Sequence, residues 1–135
     1  MSTTGKGDAL RNSVLDAVLG GPDYTRVDPV WVALFTVAPT SSGGGTEVTG
    51  GGYARQSLAN NSTNWPAASS FTKANGAAVD FGTATANWGT IVYGAIMDAS
   101  TSGNVLYFGP LTASKTINTD DGFKIPIGGL TLTEA

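Results

Sequence analysis

The stretch Ala86-Asn-Trp-Gly-Thr-Ile-Val-Tyr-Gly-Ala-Ile-Met-Asp98 decides the fold class. From Ile91 to Met97 it is almost wholly apolar, with no charge until Asp98. Alternation puts Ile91, Tyr93, Ala95 and Met97 on one face and Val92, Gly94 and Ile96 on the other. A short run of this kind, rich in β-branched and aromatic residues, reads as a strand covered on both sides. A buried helix is disfavoured because Gly89 and Gly94 weaken helices and the run is short. The stretch is expected to be the central strand of the domain.

Outward from it, similar runs recur between turn signals. Val30–Thr36 is apolar on both faces, and Tyr53–Leu58 follows the break Gly50-Gly51-Gly52. Ala77–Phe81, Val105–Phe108, Ser114–Ile117, Phe123–Ile127 and Leu130–Thr133 complete the set. Asn118-Thr119-Asp120-Asp121-Gly122 has the residues of a hairpin turn between two of them. Pro126 marks the strand Phe123–Ile127 as an edge. About eight short strands at regular spacing predict an all-β fold, an antiparallel β-sandwich of jelly-roll or immunoglobulin-like type.

One helix is expected. In Asp8–Leu19 the residues Leu10, Val14, Ala17 and Val18 follow the spacing of one helical face. Asp8 is a candidate cap, and Gly20-Gly21-Pro22 is a stop signal. A helix this short is marginal alone, so its apolar face must dock. Docking on its own sheet is the simpler reading, and docking on a neighbouring subunit the alternative. Met1–Gly7 is small and polar and reads as a flexible arm, leaving residues 8–135 as a single domain.

Composition removes whole classes of chemistry. The chain has 135 residues with no cysteine and no histidine. Disulfides, thiolate metal sites and every Ser-His or Cys-His mechanism are therefore excluded. Seven basic and ten acidic residues give a net charge of −3 without a basic patch, so neither nucleic acid nor an anionic membrane is an expected partner. No run reaches the roughly 20 apolar residues of a membrane span. The N-terminus lacks a secretory pattern, which predicts a soluble protein made in the cytoplasm.

The remaining motifs have modest readings. Gly43–Gly45 and Gly50–Gly52 are not followed by Lys-Ser/Thr and open no helix, and Gly5-Lys6-Gly7 lacks the upstream glycine, so none predicts a phosphate cradle. Asp120-Asp121-Gly122 lacks the spacing of a calcium loop and reads as a turn. A glycosidase-like carboxylate pair could in principle be drawn from Asp80, Asp98, Glu47 or the Asp120-Asp121 pair, but acids spread over a domain, mostly at strand ends, are expected as solvated turn residues. Asn60, Asn61, Asn64 and Trp65 form either a carbohydrate platform or a loop whose tryptophan plugs the core edge. Arg55 is a candidate for a buried or intersubunit ion pair, with Glu47 as its nearest partner in sequence, or else a solvated edge residue. No catalytic, cofactor or metal residue is assigned. The candidate partner contacts are Leu10, Val14, Val18, Arg55 and Trp65.

Several blocks jointly resemble a known family. Val30-Trp-Val-Ala-Leu-Phe-Thr36, Gly45-Thr-Glu-Val-Thr-Gly-Gly-Gly-Tyr-Ala-Arg-Gln56 and Asn64-Trp-Pro-Ala-Ala68 are similar to consecutive blocks of a virion protein family of tailed bacteriophages. So are Ala84-Thr-Ala-Asn-Trp-Gly-Thr90 and Ser114-Lys-Thr-Ile-Asn-Thr-Asp-Asp-Gly-Phe123. Family patterns near Tyr93–Met97 often read Phe-Gly-Leu/Ile-Phe-Asp, from which Tyr93-Gly-Ala-Ile-Met-Asp98 departs while staying apolar. The resemblance implies a non-enzymatic structural protein of the virion, made in the infected bacterium and without catalytic residues to carry over. The reading drawn from it is a decoration or cement protein on the outer head surface, a homotrimer bound to the major capsid protein. The principal alternative is a tail or fibre module that recognises a host-surface glycan. A wall-degrading glycosidase and a tail-completion or connector protein are further alternatives.

Overall fold

The computed structural model describes Met1, Ser2 and residues 5–134. Among the described residues the chain forms β1 (Gly5–Lys6), α1 (Asp8–Val18), β2 (Val30–Val37), β3 (Thr46–Glu47) and β4 (Gln56–Leu58). It continues with β5 (Thr72–Ala74), β6 (Val79–Thr83), β7 (Gly89–Met97), β8 (Val105–Ile117), β9 (Gly122–Ile125) and β10 (Thr131–Thr133). The fold is mostly β with one helix, as the strand spacing predicts. Strands β1, β8, β7, β2 and β3 lie side by side in that order, and β4 also pairs with β2. Every pairing between these strands is antiparallel. The expected central strand is therefore central.

The second layer is not one sheet. It consists of two separate antiparallel ribbons, β6–β9 and β5–β10. One face of the large sheet sends Val32, Leu34, Ile91, Ile96, Leu106 and Ile117 into the main core. There they meet Val79 and Phe81 of β6 and Phe123 and Ile125 of β9. Burying each such side chain contributes about 1.5–3 kcal/mol, so these strands hold the fold together. The opposite face carries Ala33, Phe35, Ala95, Met97 and Val105, packed with Trp31, Tyr93 and Phe108. An aromatic chain runs through the main core: Tyr53 stacks on Phe81 with ring centroids 6.1 Å apart, and Trp88 and Phe123 meet it edge-on at 5.6 and 5.8 Å.

Two expectations about the strands are corrected. Simple alternation puts Ile91 with Tyr93, yet Ile91 lies in the main core and Tyr93 on the opposite face. The β7–β8 register shifts between Ile91 and Tyr93, and such a bulge reverses which face the following residues take. The hairpin expected around Asn118–Gly122 also does not form. Ser114–Ile117 is the end of the long β8 and pairs with β7, while β9 pairs with β6. The turn itself exists, with Asp121 N–H donating to the Asn118 carbonyl at 3.0 Å. It hands the chain to the ribbon because Phe123 and Ile125 bury against β6, whereas Thr112–Thr116 of β8 are exposed.

The described residues of the N-terminal stretch expected as a flexible arm are built into the body. Gly5 and Lys6 pair with Phe108 and Tyr107, and the Met1 amine donates to the Gly129 carbonyl at 2.7 Å. Thr3 and Thr4 of that stretch lie outside the described residues. Gly7, not Asp8, is the helix cap, with no side-chain capping bond. A side chain at Gly7 would sit 1.6 Å from the Val105 carbonyl oxygen, so only glycine lets the helix start this close to β8. Asp8 occupies the first turn, where a carboxylate favours the helix dipole, and bonds to Arg11. The Arg11 bond and then a bond to Ser41 hold its carboxyl below the usual range. At the other end Gly21 N–H reaches back to the Asp16 carbonyl at 2.7 Å, a six-residue closure that terminates the helix at the predicted glycines.

One buried polar residue ties the ribbons together. Asn75, 2% exposed, follows β5 and precedes β6. Its amide donates to the Ala77 and Pro126 carbonyls at 2.8 and 3.0 Å, and its side-chain oxygen accepts from Leu130 N–H at 2.9 Å. Gly128 N–H donates to its backbone carbonyl at 2.9 Å. A single asparagine therefore fixes the β9–β10 connection onto the β5–β6 connection, with every side-chain atom satisfied.

Candidate functional site

Arg55 and Glu47 do pair, within the chain. Arg55 Nε and Nη2 grip the two Glu47 oxygens at 2.9 and 2.8 Å. Its Nη1 donates to the Ala99 and Ser102 carbonyls, each at 2.8 Å. The Arg55 side chain is 7% exposed. Bonding to Glu47 raises its pKa further, so it stays charged. Tyr53 extends the network: its hydroxyl accepts from Leu34 N–H at 2.9 Å and donates to Glu47 at 2.8 Å. Burial pushes this phenol upward, which keeps the proton it donates. The hydroxyl fills the gap on the β2 edge between β3 and β4, and this is why the expected strand Tyr53–Leu58 pairs only from Gln56. The network uses four of the five guanidinium N–H donors within the chain, which makes it a clamp for the Asp98–Asn104 loop.

The Asn60–Trp65 loop takes its plainer reading. Trp65 is 6% exposed and belongs to the main core, so it offers no free ring face to a sugar. Asn61 Oδ1 accepts from Thr63 and Asn64 N–H at 3.1 and 2.9 Å. The Asn64 and Asn60 amides donate to the Ala59 and Val27 carbonyls at 2.9 and 2.8 Å. Trp65 Nε1 is the exception, buried with no acceptor.

Beside this loop lies a cavity of about 340 Å³. Its apolar floor comes from Leu10 of α1, Ile96 of β7 and Leu106 of β8, with Trp65 as one wall. Its more exposed lining includes Tyr24, Arg26, Phe71, Lys73 and Glu134. Tyr107 also lines it; burial raises the phenols of both Tyr24 and Tyr107, with smaller contributions from Asp98 at Tyr24 and Glu134 at Tyr107. Both therefore remain neutral hydroxyl groups at physiological pH.

Phe71 is the unusual member. Ser69 and Thr72 exchange two backbone bonds of 2.9 and 3.0 Å across a two-residue turn. Its central residues Ser70 and Phe71 have φ of 51° and 63°, a left-handed pair normally occupied by Asn-Gly. A bulky residue there costs about 1–3 kcal/mol. Phe71 is nonetheless 80% exposed, so core burial does not offset that strain. No sequence pattern pointed to Tyr24, Arg26 or Phe71: the first two share the segment Pro22–Pro29, and Phe71 lies far along the chain in another turn.

The helix contacts divide. Leu10 is buried in cis and Val14 packs beside it, while Val18 is 72% exposed with Leu15 and Leu19. The carboxylates weighed as a catalytic pair serve local structure: Asp80 accepts from Gly82 N–H, Asp98 from Asn104, and Asp121 from Asn118. Among the described residues no three His, Cys, Asp or Glu side chains cluster as metal ligands, and no helix is long and apolar enough to cross a membrane.

The structure is thus a mostly β scaffold with carboxylates used in turns, an intrachain ion-pair clamp and an open groove. Residues 5–133 match the family described as Podophage GP4 fiber I protein gp80, so the chain belongs to that family of phage fibre proteins. The match runs from β1 into β10 and makes the chain a virion structural component, as the sequence resemblance implied. It favours the tail or fibre alternative over decoration of the head. No curated protein matches the chain.

Proposed function

We propose that this chain is a non-enzymatic building block of the fibre of a tailed phage, not a cement protein on the outer head surface. The observation that carries the reading is the fibre-family match over residues 5–133, which takes in every strand from β1 to β10 among the described residues. The local use of Asp80, Asp98 and Asp121 supports a structural role over a hydrolytic one. Self-association belongs to the proposal. Leu15, Val18 and Leu19 form an exposed apolar helix end that a second copy in a fibre would cover, with a trimer as the expected assembly.

The test is to label the chain on intact virions with a specific antibody and locate it by electron microscopy. Label on the tail or its fibres is expected. Regular density on the head lattice would overturn the reading and make the major capsid protein the partner.

A further inference from the structure

Three observations meet at the groove. Phe71 holds an 80% exposed ring in a left-handed turn where neither burial nor turn chemistry selects phenylalanine. Arg26 has no acidic partner among the described residues, and Lys73 Nζ bonds the Trp65 carbonyl at 3.3 Å. Trp65, 6% exposed, carries a buried Nε1–H without an acceptor. Glu134, the acid on the rim, is paired with Lys6. The groove is therefore locally cationic on a chain of net charge −3.

We propose that this groove binds an acidic saccharide, with the sugar ring stacked on Phe71 and Tyr24 and its carboxylate held by Arg26 and Lys73. Sugar rings present an apolar C–H face suited to an exposed aromatic ring, and their hydroxyls take bonds from groups such as the neutral phenols of Tyr24 and Tyr107. A guanidinium fork matches a carboxylate bidentately, while an ammonium adds a point charge. A purely apolar peptide would leave both cations unused. The cavity lies at the small end of ligand sites, room for about one or two sugar units. Strain held at a rim residue that the fold does not need is characteristic of ligand clamps. The biological setting of this site rests on the fibre reading; its physical case does not.

The test is a calorimetric titration of the full chain with an oligogalacturonate tetramer, sialyllactose and neutral maltotetraose. At least one acidic sugar is expected to bind at least about tenfold tighter than maltotetraose, and added salt should narrow that gap. Phe71→Gly should weaken the acidic sugar by about tenfold or more without lowering the unfolding midpoint. Arg26→Ala, at an exposed position, should reduce acidic binding to the neutral level. No binding of either acidic sugar at about 10 mM, equal binding of maltotetraose, or undiminished affinity in Phe71→Gly would each overturn the proposal. Tail localisation without sugar binding removes this proposal alone; head localisation with sugar binding intact removes the fibre reading alone.

Discussion

The ribbons β6–β9 and β5–β10 are both two short antiparallel strands over the same face of the large sheet, yet they do different things. In β6–β9 large apolar residues alternate with polar ones, and Val79, Phe81, Phe123 and Ile125 are all buried. In β5–β10 the pairs are Thr131 with Ala74, Leu132 with Lys73 and Thr133 with Thr72, and none of these residues is fully buried. The first ribbon closes the core. The second leaves an opening whose wall is Lys73 and whose tip is Phe71. Both ribbons are antiparallel and differ in backbone only by the register shift between Asp80 and Thr83 of β6–β9, so side-chain size and alternation decide whether a ribbon becomes core or cleft.

The comparison is easiest to break at its core side. Phe81→Ala should destabilise the fold by about 3–5 kcal/mol in urea unfolding, since it removes a buried ring stacked between Tyr53 and Phe123. A loss under about 1 kcal/mol would mean the β6–β9 ribbon is not the main closure. Asn75→Ala comes next, at about 2–3 kcal/mol, because it strands the Leu130 N–H and the Ala77 and Pro126 carbonyls. Hydrogen exchange should show Leu130 and Gly128 losing protection together, and protection kept at both would show that the ribbons hold position without the asparagine. Phe71→Gly has the smallest expected effect and the opposite sign, a gain of up to about 1 kcal/mol from relief of the left-handed turn. A clear loss of stability there would make Phe71 a folding residue and erase the contrast between the ribbons.

The β7 bulge and the pairing of β9 with β6 have the same origin as this contrast. Alternation identifies β7 as a strand but does not reveal the bulge that moves Ile91 across the sheet, because the bulge depends on what β8 offers opposite. The turn at Asn118–Asp121 is legible from its residues. Its hairpin is not, since the choice of partner for Phe123 and Ile125 is made by burial against β6. Arg55 and Glu47 were identifiable as partners, but whether they pair within the chain depends on the loop carbonyls of Ala99 and Ser102 that complete the clamp. The asparagine cluster drew attention to Trp65, whereas the groove beside it is assembled from Tyr24, Arg26, Phe71 and Lys73, which share no motif.

By itself the sequence determined a mostly β domain with β7 at its centre, one N-terminal helix ending at Gly20-Gly21, and the absence of thiol and imidazole chemistry. These follow from local periodicity, turn residues and composition, which act over a few residues at a time. Only the tertiary structure decided that the second layer splits into two ribbons, that the N-terminal stretch joins the sheet, and that distant turns enclose a cationic, aromatic-rimmed groove. Those outcomes depend on which buried faces fit one another across the whole chain, a competition that no single segment encodes.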